Sequence, residues 1–435
     1  MGLAEILAHF AVDRVAVSEK MAQAIRFSLF DWATVGLAGR AELVARASRA
    51  VVLAEGGAGQ AALFGGGRAP ARGAALVNGA TSHALDYDDT HFLHIGHPSV
   101  AVIPAAIAVA EREDVSGAAL SDALAVGLEL ACRMGDWLGR SHYEAGFHQT
   151  GTSGAFGATA AAGRLMGLDA EQMAHALGLV ATRAAGLKSQ FGTMGKPLNA
   201  GFAAEVGVAS ADLARHGVTS NPDAIAGGQG FGPTHAGAAR ESAWAGLGQD
   251  WAFPGVSYKF HACCHGLHAM LEALRSLREA GLKAADVEAV TVVTNPRWLA
   301  VCNQPAPTTG LGAKFSYRLT AAMMLAGVDT AALENYSAEL AVRPDLVALR
   351  DRVMVEADSG LTDTQARVEV TTIQGVRLPA WHDLAALADA ATLEERLREK
   401  SHTLIGPQAE EALWHDVAAL GAASNIDMLA ARIGG

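Results

Sequence analysis

Cysteine is scarce in this chain of 435 residues: there are four, Cys132, Cys263, Cys264 and Cys302. So few thiols exclude a disulfide framework. An iron–sulfur cluster wants three or four separated thiolates, and two of these four are vicinal. Aromatic residues are also few, at 6%, whereas glycine numbers 48 and alanine is abundant. That balance favours helices in close contact through small side chains over an aromatic core. Positive charge is the minor sign, 33 Lys and Arg against 45 Asp and Glu, for a formal net charge of -12. With no basic stripe, a nucleic-acid partner is not expected. Long apolar runs are missing too. The densest, residues 100–110, is stopped by Glu111, Arg112, Glu113 and Asp114, and eleven residues cannot span a bilayer. No membrane partner is expected. The opening MGLAEILAHFAVDRV carries neither a basic n-region nor a cleavage site, so no signal peptide is read there and a cytoplasmic location is expected.

What is present in quantity is histidine and aspartate in one stretch, TSHALDYDDTHFLHIGHPSVAVIP at 81–104. It holds His83, His91, His94 and His97 together with Asp86, Asp88 and Asp89, and the apolar run follows at once. Titratable groups anchored against buried helix are what proton-transfer chemistry requires. His91, His94 and His97 also stand at i, i+3 and i+6, which leaves open a metal-dependent hydrolase built on them. Gly96 and Pro98 argue against a helix there, and no HExxH or comparable zinc signature accompanies them. His91 and His94 equally suit a solvated loop, and Asp88 and Asp89 a solvated helix end. His97, directly before Pro98 and the buried run, is the leading member. Asp86 is placed to orient a histidine.

The rest of the chain is mostly helical in pattern. Residues 18–39 repeat Ile25, Leu29, Trp32 and Val35 at helical spacing behind a capping Ser18. Pro98 and Pro104 are expected to break the chain and restart it as a buried helix. A loop after Trp137 carries His142, His148, Thr150, Thr152 and Ser153, and a small-residue helix follows over 154–167. Another loop, LKSQFGTMGKPLNAG at 187–201, supplies Lys188 and Lys196. Alternating patterns appear only later, at 287–295, 352–358 and 366–378, the last with a turn at Gln374-Gly375. The expected architecture is mainly α: a large all-helical domain over 1–254, a smaller α+β lid domain over 255–390, and C-terminal helices over 391–435 that return to the helical domain.

Two further constellations qualify as chemistry. Lys196 sits in a glycine-rich loop of the kind that converges backbone N–H groups and a lysine on an anion, although Pro197 rules out a Walker A loop. Lys259 and His268 flank the vicinal cysteines at the start of a helix, where a nucleophilic cysteine stays open beside a buried structural thiol. Neither a G-x-S-x-G elbow nor a G-x-G-x-x-G fingerprint after a strand is found, so no cofactor is expected.

These stretches resemble the MmgE/PrpD family. The carrying segments are NGATSHALDYDDTHFLHIGHPS (78–99), GFHQTGTSGAFGATAAAGRLMGL (146–168), FGTMGKPLNAGFAAEVGVASADLARHG (191–217) and SYKFHACCHGLHAMLEAL (257–274), with AKFSYRLTAAMMLAG (313–327) a weaker fifth. The resemblance implies a helical domain with an α+β lid, a homodimer, no cofactor or metal, and a site between the two domains for a small polycarboxylate. Residue by residue it marks Asp86 and Thr90 of the HALDxDDT motif, His97 of HPS, His148, Lys196 of GKP, Lys259, Cys263 and His268. It implies His97 in proton transfer, Asp86 orienting it, Lys196, Lys259 and His148 on carboxylates, and Thr90, Cys263 and His268 in substrate binding. A tyrosine frequent in the fifth segment is replaced here by Leu319, and His261 stands where the family is commonly aromatic. The implied activity is acid–base lyase chemistry at the carbon α to a carboxylate. Dehydration of the 2-methylcitrate type leads, with epimerisation of an iminodisuccinate-like acid or decarboxylation of a cis-aconitate-like acid as alternatives.

Overall fold

The computed structural model describes residues 2–386 and 388–435. Helices hold 59% of the chain and strands 9%, so the mainly α class holds. The described residues fall into two compact units, Met1–Tyr258 with Leu397–Gly435, and Lys259–Arg396.

The first unit is a stack of helices around Ser99–Glu113. Every residue of that helix from Ser99 to Ala110 is buried, because SVAVIPAAIAVA has no polar face to offer solvent. Pro104 does not break it, contrary to the sequence expectation. An interior proline costs roughly 3 kcal/mol, which the apolar run on either side offsets by packing among Ala71–Ser82, Gly117–Glu144, Gln149–Leu165 and Gly195–Arg215. Polar residues set the ends: Ser18 Oγ accepts from the Met21 amide and Ser116 Oγ from the Ala119 amide, each at 3.2 Å.

Small residues let these helices meet backbone to backbone. A Cβ on Gly79 would come within 2.9 Å of Gly201 Cα, and one on Gly201 within 2.5 Å of the Leu76 carbonyl. This contact seats Ala71–Ser82 on Gly195–Arg215 and so fixes the spacing between His83, just past the end of the first helix, and Lys196, in the first turn of the second.

The second unit carries a four-stranded sheet in the order 353–357, 287–294, 365–372, 377–383. The first pair is parallel, with Val290 opposite Val353, and the other two are antiparallel, with Val290 opposite Val370 and Val370 opposite Leu378. The turn at Gln374-Gly375 is where the alternation puts it, with Gly375 at φ +77°. His268–Glu279 packs on the last two strands and Tyr317–Leu325 packs on His268–Glu279.

Candidate active site

The site-bearing loop leaves Ala71–Ser82 at His83 and re-enters helix at Ser99. Its course is set by two non-glycine residues in the left-handed region, Asp86 and Ile95, each at φ +53°. Aspartate tolerates that conformation better than most residues. Thr90 pairs with Ser257 through reciprocal backbone hydrogen bonds of 2.8 Å, which tie down the middle of the loop. His91 and His94 staple it. His91 Nε2 lies 2.9 Å from the Ala252 carbonyl, its Nδ1 accepts the His94 amide at 3.3 Å, and His94 Nε2 lies 3.0 Å from Ser153 Oγ. The spacing that suggested a metal triad of His91, His94 and His97 is therefore spent on holding the loop.

The turn at Asp86 brings His97 back over the start of the loop. His97 Nδ1 lies 2.8 Å from Asp88 Oδ2, and His83 Nδ1 lies 2.9 and 3.0 Å from the two oxygens of the same carboxylate. On its other side His97 Nε2 lies 3.6 Å from Asp86 Oδ1, which in turn lies 2.7 Å from Lys196 Nζ. Lys196, Asp86, His97, Asp88 and His83 thus form one continuous polar chain. The His97 amide donates to Thr150 Oγ1 at 3.0 Å, which fixes the backbone under the imidazole.

Asp88 is the pivot of this chain. Burial pushes its carboxyl upward, but the two imidazoles facing it overcome that and hold it well below the ordinary range. An ionised Asp88 can only accept, so the nitrogens turned to it, His83 Nδ1 and His97 Nδ1, lie on the donor side, and His97 Nε2 is left facing Asp86. His97 Nε2 thus lies on the Asp86–Lys196 side. The sequence assigned the orienting role to Asp86 and left Asp88 to solvent. The structure sets both beside His97: Asp88, 1% exposed, has Oδ2 2.8 Å from Nδ1, while Asp86, 3.6 Å from Nε2, also pairs with the Lys196 ammonium. Asp89 faces away, accepting from Ser28 Oγ at 2.7 Å and Ser99 Oγ at 2.5 Å, and burial raises it to about 7.

His148 is the N-cap residue of the helix Gln149–Leu165, which begins earlier than the sequence suggested and takes in Thr150, Thr152 and Ser153. Its ring stacks 6.0 Å from His83 and meets Phe191 edge-on at 4.9 Å. Burial, then the charges of Lys196, His83 and His97, hold His148 well below the usual imidazole range, with Asp86 opposing them. Lys196 likewise stands in a helix and not in a loop. Gly195–Arg215 starts just before it, with Pro197 in the first turn where a missing N–H costs nothing. Asn199, three residues on and so on the same face, donates to His148 Nδ1 at 3.0 Å.

His83, Asp88, Thr150 and Asn199 are the participants the sequence did not single out. For Asn199 the signal was available in the Lys196–Asn199 spacing, once Pro197 is read as a helix start. Among the described residues, the ligand atoms of His83, Asp86, Asp88 and His97 lie within 4.8 Å of one another and form a group that could hold a cation. Lys196 Nζ, on Asp86 Oδ1, already supplies a positive charge to that set.

Lys259, Cys263 and His268 belong to the second unit. Lys259 is buried, and His268 Nε2 lies 3.3 Å from the Cys263 carbonyl. Burial pushes the Cys263 thiol up to about 12, which favours the protonated form. Tyr317, near the replaced family tyrosine, is buried with its hydroxyl donating to the Gly266 carbonyl at 2.6 Å.

The buried imidazoles carry a pH signature. Burial lowers His91 to about 4, His94 to about 3 and His142 to about 4. Between those values and about 6.5 the unfolded chain binds protons that the folded one refuses, so stability falls as pH drops through that window. Asp89 and Glu111, both raised by burial, work in the opposite direction and are outnumbered. Thermal melts should give a lower Tm at about pH 5 than at about pH 7, and an equal or higher Tm at the acid end would contradict this accounting.

Parts of this sequence are shared with known proteins. Human cis-aconitate decarboxylase is 33% identical over 174 residues, which cover 39% of this chain and 36% of the human protein. Cis-aconitate decarboxylase of Mus musculus gives the same identity and coverage. That of Aspergillus terreus is 35% identical over 151 residues, 33% of this chain and 31% of the fungal protein. The matched stretch thus spans about a third of each of these relatives. Family models cover far more: the MmgE/PrpD N-terminal domain matches residues 2–241 and the MmgE/PrpD C-terminal domain matches residues 261–414. With both domain models matched in order along nearly its whole length, the chain belongs to the MmgE/PrpD family.

Proposed function

We propose that this protein is a lyase acting on a small di- or tricarboxylic acid, using acid–base chemistry without a cofactor at the carbon α to a carboxylate. The observation that carries the proposal is His97, fixed through Nδ1 by buried Asp88 and presenting Nε2 beside the Asp86–Lys196 pair. In dehydration, His97 Nε2 takes the proton from the α-carbon. The electron pair moves into the carboxylate as an enediolate, which the Lys196 ammonium stabilises. The pair then returns to form the double bond as the β-hydroxyl takes that proton back from the His97 imidazolium and leaves as water. Asp86 holds Lys196 in place, and Thr90 and His148 help position the acid.

A second reading is supported by the names of the relatives. In decarboxylation of a cis-aconitate-like acid, the bond to CO2 breaks first and the resulting carbanion takes a proton from His97 in its imidazolium form. Both routes pass through a carboxylate-stabilised carbanion and ask the same groups to act.

The test is a substrate panel of 2-methylcitrate, citrate, cis-aconitate and iminodisuccinate followed by NMR in D2O. A new double bond identifies dehydration, CO2 release identifies decarboxylation, and deuterium at the α-carbon without net product identifies epimerisation. On the active substrate, His97→Gln and Lys196→Ala should each lower kcat/KM by about 10²–10⁴-fold, the range for losing a general base or a charge-stabilising donor. Circular dichroism should be unchanged. Activity near that of the unaltered protein in either variant removes that residue from the site.

A further inference from the structure

We propose that Asn199 fixes His148 as a neutral imidazole carrying its proton on Nε2, so that His148 serves as a hydrogen-bond donor to the substrate's carboxylate or enediolate oxygen and not as a base. This rests on the lyase reading for its chemical purpose, but the tautomer can be measured without any substrate.

Asn199 Nδ2 lies 3.0 Å from His148 Nδ1, and the same NH2 group lies 3.4 Å from the Leu187 carbonyl. A carbonyl can only accept, so Leu187 sets which end of the amide is nitrogen. The amide then donates to His148 Nδ1, which must be the lone-pair nitrogen, and the ring proton is left on Nε2. No described residue takes that Nε2–H. The environment disfavours a second proton. His148 is 2% exposed, caps a helix of 17 residues at its positive end, and shares its surroundings with Lys196, His83 and His97. Asp86 is the one carboxylate that pulls the other way, and Lys196 already occupies it.

The two histidines on either side of His83 therefore differ by design of their partners. His97 faces a carboxylate at Nδ1 and keeps its lone pair on Nε2. His148 faces an amide donor at Nδ1 and keeps its proton on Nε2. One is a base and the other an electrophile, the division of labour that a proton abstraction next to a carboxylate needs. A neutral imidazole held this way donates to a developing enediolate without losing its proton to it. Asn199 is a positioning residue, and His148 the group that touches substrate.

Asparagine to aspartate at this position is nearly isosteric and reverses the polarity of the contact. Nitrogen-15 NMR of the full chain should show His148 as the Nε2–H tautomer, unchanged from about pH 8 to about pH 6. In Asn199→Asp the signal should move to the Nδ1–H tautomer or to an imidazolium that titrates in that range. An Nδ1–H tautomer in the unaltered protein overturns the proposal, as does an unchanged tautomer in a folded Asn199→Asp. With a turned-over acid in hand, Asn199→Asp should lower kcat by about 10²-fold and add an acid limb to the pH profile. His148→Gln, which keeps an N–H donor, should retain at least about tenfold more kcat than His148→Ala. Equal loss in the two His148 variants overturns the donor role. If no acid on the panel is turned over, the lyase reading fails while the tautomer result still stands or falls by itself.

Discussion

Asp88→Asn should lower kcat by about 10³–10⁴-fold, the scale seen when the carboxylate behind a catalytic histidine becomes an amide, while the protein remains folded. Asp88 is buried, with His83 Nδ1 2.9 Å and His97 Nδ1 2.8 Å from its carboxylate. An amide in the same place has one accepting end and one donating end. It can satisfy one imidazole as before, but it forces the other to turn its lone pair inward and its proton outward. If His97 is the one that flips, the base is lost outright. If His83 flips, the imidazolium that forms on His97 during turnover still loses the negative charge that stabilises it. The fold should tolerate the change, because removing a buried charge also removes its desolvation penalty. Asp89→Asn is the matched control. Asp89 is as buried as its neighbour, but it is held by two serine hydroxyls and raised to about 7. An amide oxygen can keep accepting from both serines, so kcat should change by less than about tenfold. Steady-state kinetics on the two variants, with melting curves for each, decides the matter. Asp88→Asn within tenfold of the unaltered enzyme, or a larger loss from Asp89→Asn, would remove Asp88 from the centre of the site.

The helical class was legible because small-residue helices and alternating strands leave different periods in the chain. The strands found at 287–294, 353–357 and 365–372 lie where alternation placed them, whereas the fourth, 377–383, runs past the end of the last alternating stretch and was not foreseen. What misled was punctuation. Pro104 reads locally as a break, yet burial of its neighbours carries the helix through it. Pro197 and the glycines around it read as loop, yet proline belongs naturally in a first helical turn, and Lys196 and Asn199 ride on that helix. At the site, Asp86, His97, His148 and Lys196 stood out by residue type and are indeed brought together in the first unit. Their roles were not readable. Asp86 and Asp88 are two positions apart in the chain, and only the left-handed turn at Asp86 decides which of them meets His97 Nδ1 and which meets Lys196. His83 meets Asp88 only because the loop turns between them, and Asn199, though its place on the Lys196 helix face was readable, meets His148 from 51 positions away.

Lys400→Met should destabilise the first unit by about 3–5 kcal/mol, the cost of removing one partner from a buried ion pair. Lys400 comes from the C-terminal part of the chain and is 2% exposed. Its Nζ lies 2.6 Å from Asp31 Oδ1 and 2.6 Å from the Tyr87 carbonyl, with the Tyr87 ring 4.2 Å away. Methionine fills nearly the same space, so packing changes little and the loss is electrostatic. Asp31 is left as a buried carboxylate without its cation, and Asp89, which already feels the charge of Asp31, lies close by. The Tyr87 carbonyl also loses its donor, and Tyr87 stands between Asp86 and Asp88. A fall in Tm of roughly 5 °C or more is expected, together with a drop in kcat as the loop loses its anchor. The double variant Asp31→Leu, Lys400→Met separates the two effects. Replacing both partners of a buried pair by apolar groups is often neutral for stability, so Tm should largely recover. Activity should not, because the Tyr87 carbonyl still lacks its ammonium. A double variant that regains full activity along with its Tm would mean that the pair supports the fold alone and leaves the catalytic loop to hold itself.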